Sequence, residues 1–307
     1  MYLKEEVYKR ISQQKKQLDK LRPFPKCALE RLRARFRILL TYNSNAIEGN
    51  TLSLSETKLV VEEGITIGGK TLREHHEAIN HQKALALLEN FVSSKKILAE
   101  EDLFALHSII LDNIIDDERG MYRKRKVWIE GASFLPVRPE LISQKMKAFF
   151  QWLYDNPEHL HAIELAFTAH EKFVFIHPFI DGNGRIARLL TSVLLMQKGY
   201  PPLLILKTER QKYIRTLETA HQGNYVPFVN FMARCLERSL AVYLDALLTA
   251  DKTEEYISLQ DATKYCSYSQ EYLSLLARKG ALETVKFERN WMTTKKAVEE
   301  YVKKQQN

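Results

Sequence analysis

The chain has 307 residues, 45% of them apolar and 27% charged, with a formal net charge of +8. That is enough for two or three domains with a sizeable core and is ordinary for a soluble globular protein. No run of about 18 uncharged apolar residues occurs, which argues against a membrane-spanning helix, and the charged start MYLKEEVYKRISQQKKQL lacks the apolar stretch of a secretory signal. Cys27, Cys235 and Cys266 form an odd, scattered set, so reduced thiols in a cytoplasm are expected rather than a disulfide framework. The positive balance favours phosphate-bearing partners without choosing between nucleotide and nucleic acid.

Only 11 glycines and 9 prolines punctuate the chain, and most windows show helical spacing. Residues 1–22 predict an amphipathic helix ended by RPFPK. CALERLRARFRILLTYNSNAIEG predicts a second helix, carried to Gly49. SLSETKLVVEEG opens on capping serines and closes at Gly64. KTLREHHEAINHQKALALLENFVSS and AEEDLFALHSIILDNI are the next two helices. At GMYRKRKVWIEG the texture changes, and β-favouring Val127-Trp128-Ile129 before Gly131 predicts a short hairpin. Helices resume at Ile142 and run to about Leu248, broken at Asn156-Pro157, at HPFIDGNGR and at Gly199-Tyr200-Pro201-Pro202. From about Thr253 two short helical pieces, YISLQDATKYC and SQEYLSLLARKG, precede an alternating ALETVKFERNWMTT and a last helix, KKAVEEYVKK. The expected division is a helical region over 1–92, a core over 93–248 and a small domain over 253–307.

HPFIDGNGRIAR, His177 to Arg188, concentrates the chemistry. A residue before proline leaves the helical region, so a helix should end at His177 and the next begin at the glycines. Such a turn exposes successive N–H groups at the positive end of a helix dipole and makes an anion site suited to a di- or triphosphate. Gly182 and Gly184 let backbone approach phosphate. Arg185 and Arg188 carry forked donors for phosphate oxygens. Asp181 is a hard oxygen ligand suited to magnesium, and His177 can act as general base. Together they describe phosphoryl or nucleotidyl transfer.

The stretch resembles the signature of the Fic family, HPF-x-[DE]-GNGR-x-x-R, at every signature position. The resemblance implies a mainly α-helical Fic fold with a short β-hairpin flap, and transfer of AMP from ATP to a target protein's hydroxyl with release of pyrophosphate. It implies that His177 deprotonates a Ser, Thr or Tyr, that Asp181 holds Mg2+, that Gly182, Asn183 and Gly184 cradle phosphates, and that Arg185 and Arg188 bind the β- and γ-phosphates. A sister group resembling Doc carries out kinase-like transfer with a loop that departs from GNGR. SNAIEGN, Ser44 to Asn50, is similar to the family's N-terminal inhibitory motif, which implies that Glu48 occupies Arg188 and restrains the enzyme. In some relatives that glutamate also supports removal of AMP.

GMYRKRKVWIEG falls where the family carries its flap. An exposed hairpin over 120–131 can pair with an extended target segment, although RKRK also reads as plain solvated charge. RQKYIRTLETAHQGNY resembles the segment facing adenine, with Tyr213 and Asn224 as candidates. His159, His161 and His170 lack a ligand set and are expected to serve packing or surface roles.

The last 55 residues look like a winged helix-turn-helix of excisionase or MerR type, with Ser269, Gln270, Tyr272 and Ser274 on the recognition helix. Residues 253–307 contain nine Lys/Arg against eight Asp/Glu, a poor balance for duplex DNA. The reading is therefore an autoinhibited protein adenylyltransferase. Its rivals are removal of AMP or transfer of another nucleotide moiety, and, from another class, a DNA-binding regulator that senses nucleotide through its core. The implied partners are a target protein at 120–131, the chain itself as substrate, a second copy of the chain, and DNA through 257–292.

Overall fold

The computed structural model describes residues 2–128, 135–250, 256–287 and 290–306. It divides into two compact units, one from within 1–22 and 32–244 and the other from within 23–31 and 245–307.

The helices are α1 (Glu5–Lys20), α2 (Lys26–Ile47), α3 (Leu54–Lys58), α4 (Leu72–Ser93), α5 (Glu100–Ile110), α6 (Ile142–Asp155), α7 (Ala162–Ile176), α8 (Asn183–Gln197), α9 (Arg210–His221) and α10 (Tyr225–Ala250). Local chemistry sets several of their ends. Ser53 and Thr71 open α3 and α4 through reciprocal capping boxes with Glu56 and Glu74. Glu74 also accepts from the Thr51 N–H at 2.8 Å and from its hydroxyl at 2.7 Å, and these bonds hold its carboxyl down at about 2. α3 continues as a wider turn over Leu59–Glu63 that closes on left-handed Gly64. α6 stops at Asn156, also left-handed, as the Asn-Pro pair implied.

α7 and α8 pack closely on each other, and α4, α5, α6 and α9 pack around this pair. Phe167, Phe173, Phe179, Leu190, Val193 and Phe228 fill the centre and are all buried. The segment between α7 and α8 is thus a short turn leaving a rigid apolar pair. Phe173 and Ile176, buried at the end of α7, anchor what the loop presents.

The hairpin expected over 120–131 shows no strand among its described residues, 120–128, and 129–131 lie outside the described residues. The backbone here is bound sideways instead of in a ladder. The Gly120 N–H donates to His107 Nδ1 at 2.9 Å, and the Arg123 N–H donates to Pro178 O at 3.0 Å.

In the second unit, β1 (Tyr256–Ser258), α11 (Leu259–Ala262), α12 (Gln270–Arg278), β2 (Thr284–Phe287), β3 (Asn290–Thr294) and α13 (Lys295–Gln306) surround a small core of Leu259, Leu273, Leu276, Leu282 and Val298. The sheet is antiparallel in the order β1-β3-β2, with Ile257 opposite Thr293 and Val285 opposite Met292. The β2–β3 pair is the alternation expected from sequence. β1 is a three-residue strand that helical spacing concealed.

Candidate active site

α7 ends where proline forces it to. His177 takes the left-handed conformation, φ 51° and ψ 59°, and its N–H donates to Phe173 O. A non-glycine residue is strained there by about 1–2 kcal/mol, so the surrounding contacts must hold it. Pro178 and Phe179 then turn inward, and the Phe179 ring stacks on His107 with centroids 3.8 Å apart and planes 9° from parallel. The amide of Asn183 closes the turn, accepting from the Phe179 N–H at 2.9 Å and donating to Phe179 O at 2.8 Å. Gly182 is the left-handed N-cap at φ 77°, and the Ile186 N–H makes the bond to Gly182 O that starts the ladder of α8. The N–H groups of Asn183, Gly184 and Arg185 precede that ladder and face out along the positive end of the helix dipole.

A carboxylate sits at this end. Glu48, just past the C-terminus of α2, accepts from Arg188 Nη2 at 2.6 Å. Arg188 is 7% exposed, and it also donates through Nε to Ser44 Oγ and through Nη2 to Ser44 O, both at 2.9 Å. Burial disfavours the charged guanidinium, but Glu48 and Tyr213 together outweigh that and raise its pKa. A Cβ on Gly184 would lie 2.3 Å from Glu48 Oε1. The glycine is therefore what lets an anion reach this helix end. The turn bearing Glu48 is fixed by α4: Asn45 Nδ2 donates to Glu77 O at 3.1 Å, and Asn50 Nδ2 to Glu77 Oε2 at 2.9 Å.

Arg185 lies differently from Arg188. It is 2% exposed and turned inward, with Nη2 3.2 Å from Asp181 Oδ1 and Nη1 3.5 Å from Glu77 Oε1. The other oxygen of Asp181 accepts from Arg73 Nη2 at 2.6 Å. Burial works against the ionised carboxyl, but Arg185, the Gly182 N–H and Arg73 together pull its pKa below the usual value. Asp181 is thus an anion at neutral pH.

His177 Nδ1 lies 3.2 Å from Val174 O. A carbonyl only accepts, so the proton is on Nδ1 and the lone pair on Nε2. Burial lowers the ring's pKa to about 4, which leaves the imidazole neutral at pH 7. His107 is buried and held down to about 4 by desolvation. Its Nδ1 accepts from Gly120, so its Nε2–H donates to Asp181 O at 3.2 Å.

The structure gathers His177, Asp181, Gly182, Asn183, Gly184, Arg185, Arg188 and Glu48 at one place, with two adjustments. The Asn183 side chain braces the turn and leaves only its backbone N–H to the site. Tyr213 is a correction: it is 4% exposed, packs against Phe228 and Phe231, and lies 2.7 Å from His170 Nε2. The Thr191 hydroxyl donates to Ala187 O and so accepts from His170 Nδ1–H, which leaves Nε2 to accept from the Tyr213 hydroxyl. Tyr213 thus lies in the core behind Arg188, where no base can reach its face, and desolvation raises its pKa to about 12. Asn224 is exposed in the turn between α9 and α10. Sequence reasoning missed Arg73, Glu77, His107 and Arg123.

The residues present fit a magnesium-bound triphosphate. Arg188 Nη1 and Arg185 Nε are buried without a hydrogen-bond partner among the described residues. The Gly184 cradle already admits a carboxylate, and Asp181 offers a hard, ionised oxygen of the kind magnesium takes together with phosphates. Among the described residues no cluster of three or more His, Cys, Asp or Glu could hold a metal, so the protein side of such a site would be this one carboxylate.

Comparison with known proteins agrees with the geometry. The model of the Fic/DOC family matches residues 97–195. The chain is 40% identical over 205 residues to a "Protein adenylyltransferase Fic" of Nematostella vectensis, covering 66% of this chain and 48% of that one. The chain thus spans about half the length of the curated relatives it matches. A Fic domain containing signaling protein from Bacteroides thetaiotaomicron superposes with TM-score 0.73 at 30% identity, covering 78% of this chain and 98% of that one. Fic-1 from C. elegans superposes with TM-score 0.71 at 33% identity, covering 80% and 73%.

Proposed function

The chain belongs to the Fic family, and from that premise we propose that it transfers AMP from ATP to a protein hydroxyl and is restrained by Glu48. The observation that carries this reading is the contact at the N-terminus of α8, where the Glu48 carboxylate holds Arg188 at 2.6 Å over the Gly184 backbone. An anion seated there occupies the cradle that a terminal phosphate needs.

The chemistry then follows from the chain's own groups. His177 Nε2 takes the proton as the target oxygen attacks the α-phosphorus. The new bond is oxygen to α-phosphorus, the bond broken joins α- to β-phosphate, and pyrophosphate leaves. The N–H groups opening α8 and the Arg188 guanidinium stabilise charge that builds on the phosphates. Mg2+ held by Asp181 would supply charge neutralisation of the leaving pyrophosphate. Arg73 already neutralises the same carboxylate through Asp181 Oδ2.

The target protein would dock its extended segment along 120–128, the described part of the expected flap, and the chain's own hydroxyls would serve as substrate in its absence. A second copy is a further candidate partner. Removal of AMP is the second reading. It is favoured by the 38% exposure of the Glu48 side chain, which leaves its carboxylate open to water. We read the second unit as a winged helix that docks protein rather than DNA, because Ser269 is spent capping α12 while Tyr272 and Leu275 stand exposed. Among the described residues no helix is long and apolar enough to cross a membrane. The free thiols of Cys235 and Cys266 suit a cytoplasmic setting.

The test is incubation with ATP labelled at the α- or the γ-phosphate. Label from the α position alone should enter protein. Transfer of γ-label would replace AMP transfer with a kinase-like reaction, and release of AMP from pre-labelled protein would favour the second reading.

A further inference from the structure

One side chain outside the signature is spent entirely on positioning the base. Arg123 is 3% exposed although it begins a run of four cationic residues. Its Nε donates to His177 O at 2.8 Å, its Nη1 to Arg125 O at 3.0 Å and its Nη2 to Val137 O, while its backbone N–H donates to Pro178 O. A single guanidinium therefore ties the carbonyls of Arg125 and Val137 to the carbonyl of the base itself. That carbonyl belongs to a residue held in the left-handed region, where the backbone has no intrinsic reason to stay. Each of the three side-chain bonds runs from a cation to a neutral carbonyl, and the fork geometry of arginine satisfies all three at once. Lysine cannot reproduce it. Burial lowers its pKa even though Glu140 pulls the other way, which makes the site costly and hard to explain as surface charge.

We infer that Arg123 is the positioning residue that registers the His177 imidazole to the docking segment at 120–128, so that the base and the incoming hydroxyl share one frame. This rests on the transferase reading above. The bonds of Arg123 go to His177 O, Arg125 O, Val137 O and Pro178 O, and none goes to the N–H groups opening α8, to Arg185 or to Arg188, the groups that would hold the phosphates. Its loss should therefore spare nucleotide binding and strike the transfer step. Positioning errors of about 1 Å cost on the order of 100-fold in rate.

The experiment compares Arg123→Ala and Arg123→Lys in a Glu48→Gly background. Self-labelling from α-labelled ATP, ATP affinity and the 15N spectrum of the His177 ring are followed. Arg123→Ala should lower the labelling rate at saturating ATP about 100-fold with the ATP Kd changed less than about twofold, and should shift or broaden the His177 ring signals. Arg123→Lys keeps the charge and one bond, and should recover part of the rate. A labelling rate and ring spectrum both unchanged in Arg123→Ala overturn the inference. So does an equal loss of ATP affinity, which would indicate general damage to the fold. If the Glu48→Gly parent transfers no label, the transferase reading fails, and the ring spectrum alone decides: a shift in the Arg123 variants supports the positioning role, and an unchanged spectrum overturns it. Should Arg123→Ala fail to fold, Arg123→Lys carries the same comparisons.

Discussion

Replacing Glu48 by glycine is the most informative single change. The Glu48–Arg188 contact is a 2.6 Å bond between a guanidinium 7% exposed and a carboxylate 38% exposed. A charge-assisted hydrogen bond in such a setting contributes roughly 1.5–3 kcal/mol. A triphosphate that needs Arg188 must first break it, and about 1.4 kcal/mol corresponds to tenfold. Glu48→Gly should therefore raise productive ATP binding and the rate of self-labelling roughly ten- to a hundredfold. Arg188 keeps its two bonds to Ser44 in the variant, so the phosphate site survives. Without nucleotide the variant should melt lower than the parent, because a buried cation has lost its counter-charge, and added Mg-ATP should restore the loss. Glu48→Gln separates charge from shape: it keeps an acceptor on Arg188 and should release the enzyme only in part. The assay is label incorporation against time, with ATP affinity measured by titration calorimetry. If both quantities in Glu48→Gly stay within twofold of the parent, the contact does not restrain the site and the reasoning fails.

Other consequences can be measured independently. Gly184→Ala places a methyl 2.3 Å from Glu48 Oε1; in a Glu48→Gly background it should weaken ATP binding about tenfold or more, since phosphate needs the same space, and unchanged affinity would remove the cradle from the account. Asn183→Ala leaves both the N–H and the carbonyl of buried Phe179 without partners and should cost about 2–4 kcal/mol in chemical unfolding; a loss under about 0.5 kcal/mol would show that the clamp is redundant. Acid should destabilise the fold steeply. His81 and His170 are held down to about 3 and His107 to about 4 by burial. An unfolded histidine titrates near 6.5, so between the two values the unfolded chain binds protons that the native one refuses, and stability falls as pH falls. Three such groups give a slope of about 4 kcal/mol per pH unit near pH 5; a melting temperature flat from pH 7 to 5 would contradict the burial of these rings.

What could be read in the sequence was local. The turn from His177 to Arg188 carries its own instructions, because a proline ends one helix, a glycine caps the next, and the chemistry lies within one turn of that cap. The capping serines before α3 were legible in the same way, whereas the Thr71–Glu74 box, equally local, was not read. What escaped came from far along the chain. Arg73, Glu77, His107 and Arg123 reach the site only through tertiary packing, and nothing in their neighbours' spacing sets them apart from surface charge or core histidine. Arg123 shows the cause most clearly: within RKRK it looks solvated, and only the carbonyls of His177, Val137 and its near neighbour Arg125, brought together by the fold, give it reason to be buried. Tyr213 was misread in the opposite direction. It shares a buried stripe with Thr216 and Ala220 on α9, at the spacing of an inward face, and that spacing was the available signal that it belongs to the core.

The central claim is that this turn grips a nucleotide so that His177 can take a proton from a protein hydroxyl. Intact-mass and peptide analysis of Glu48→Gly after incubation with Mg-ATP, beside the same protein carrying His177→Ala, tests it most directly. The account predicts AMP on a Ser, Thr or Tyr side chain in the first and none in the second, with ATP still bound by both. AMP appearing equally on the His177→Ala protein, or no adduct on either while both bind ATP, would contradict it.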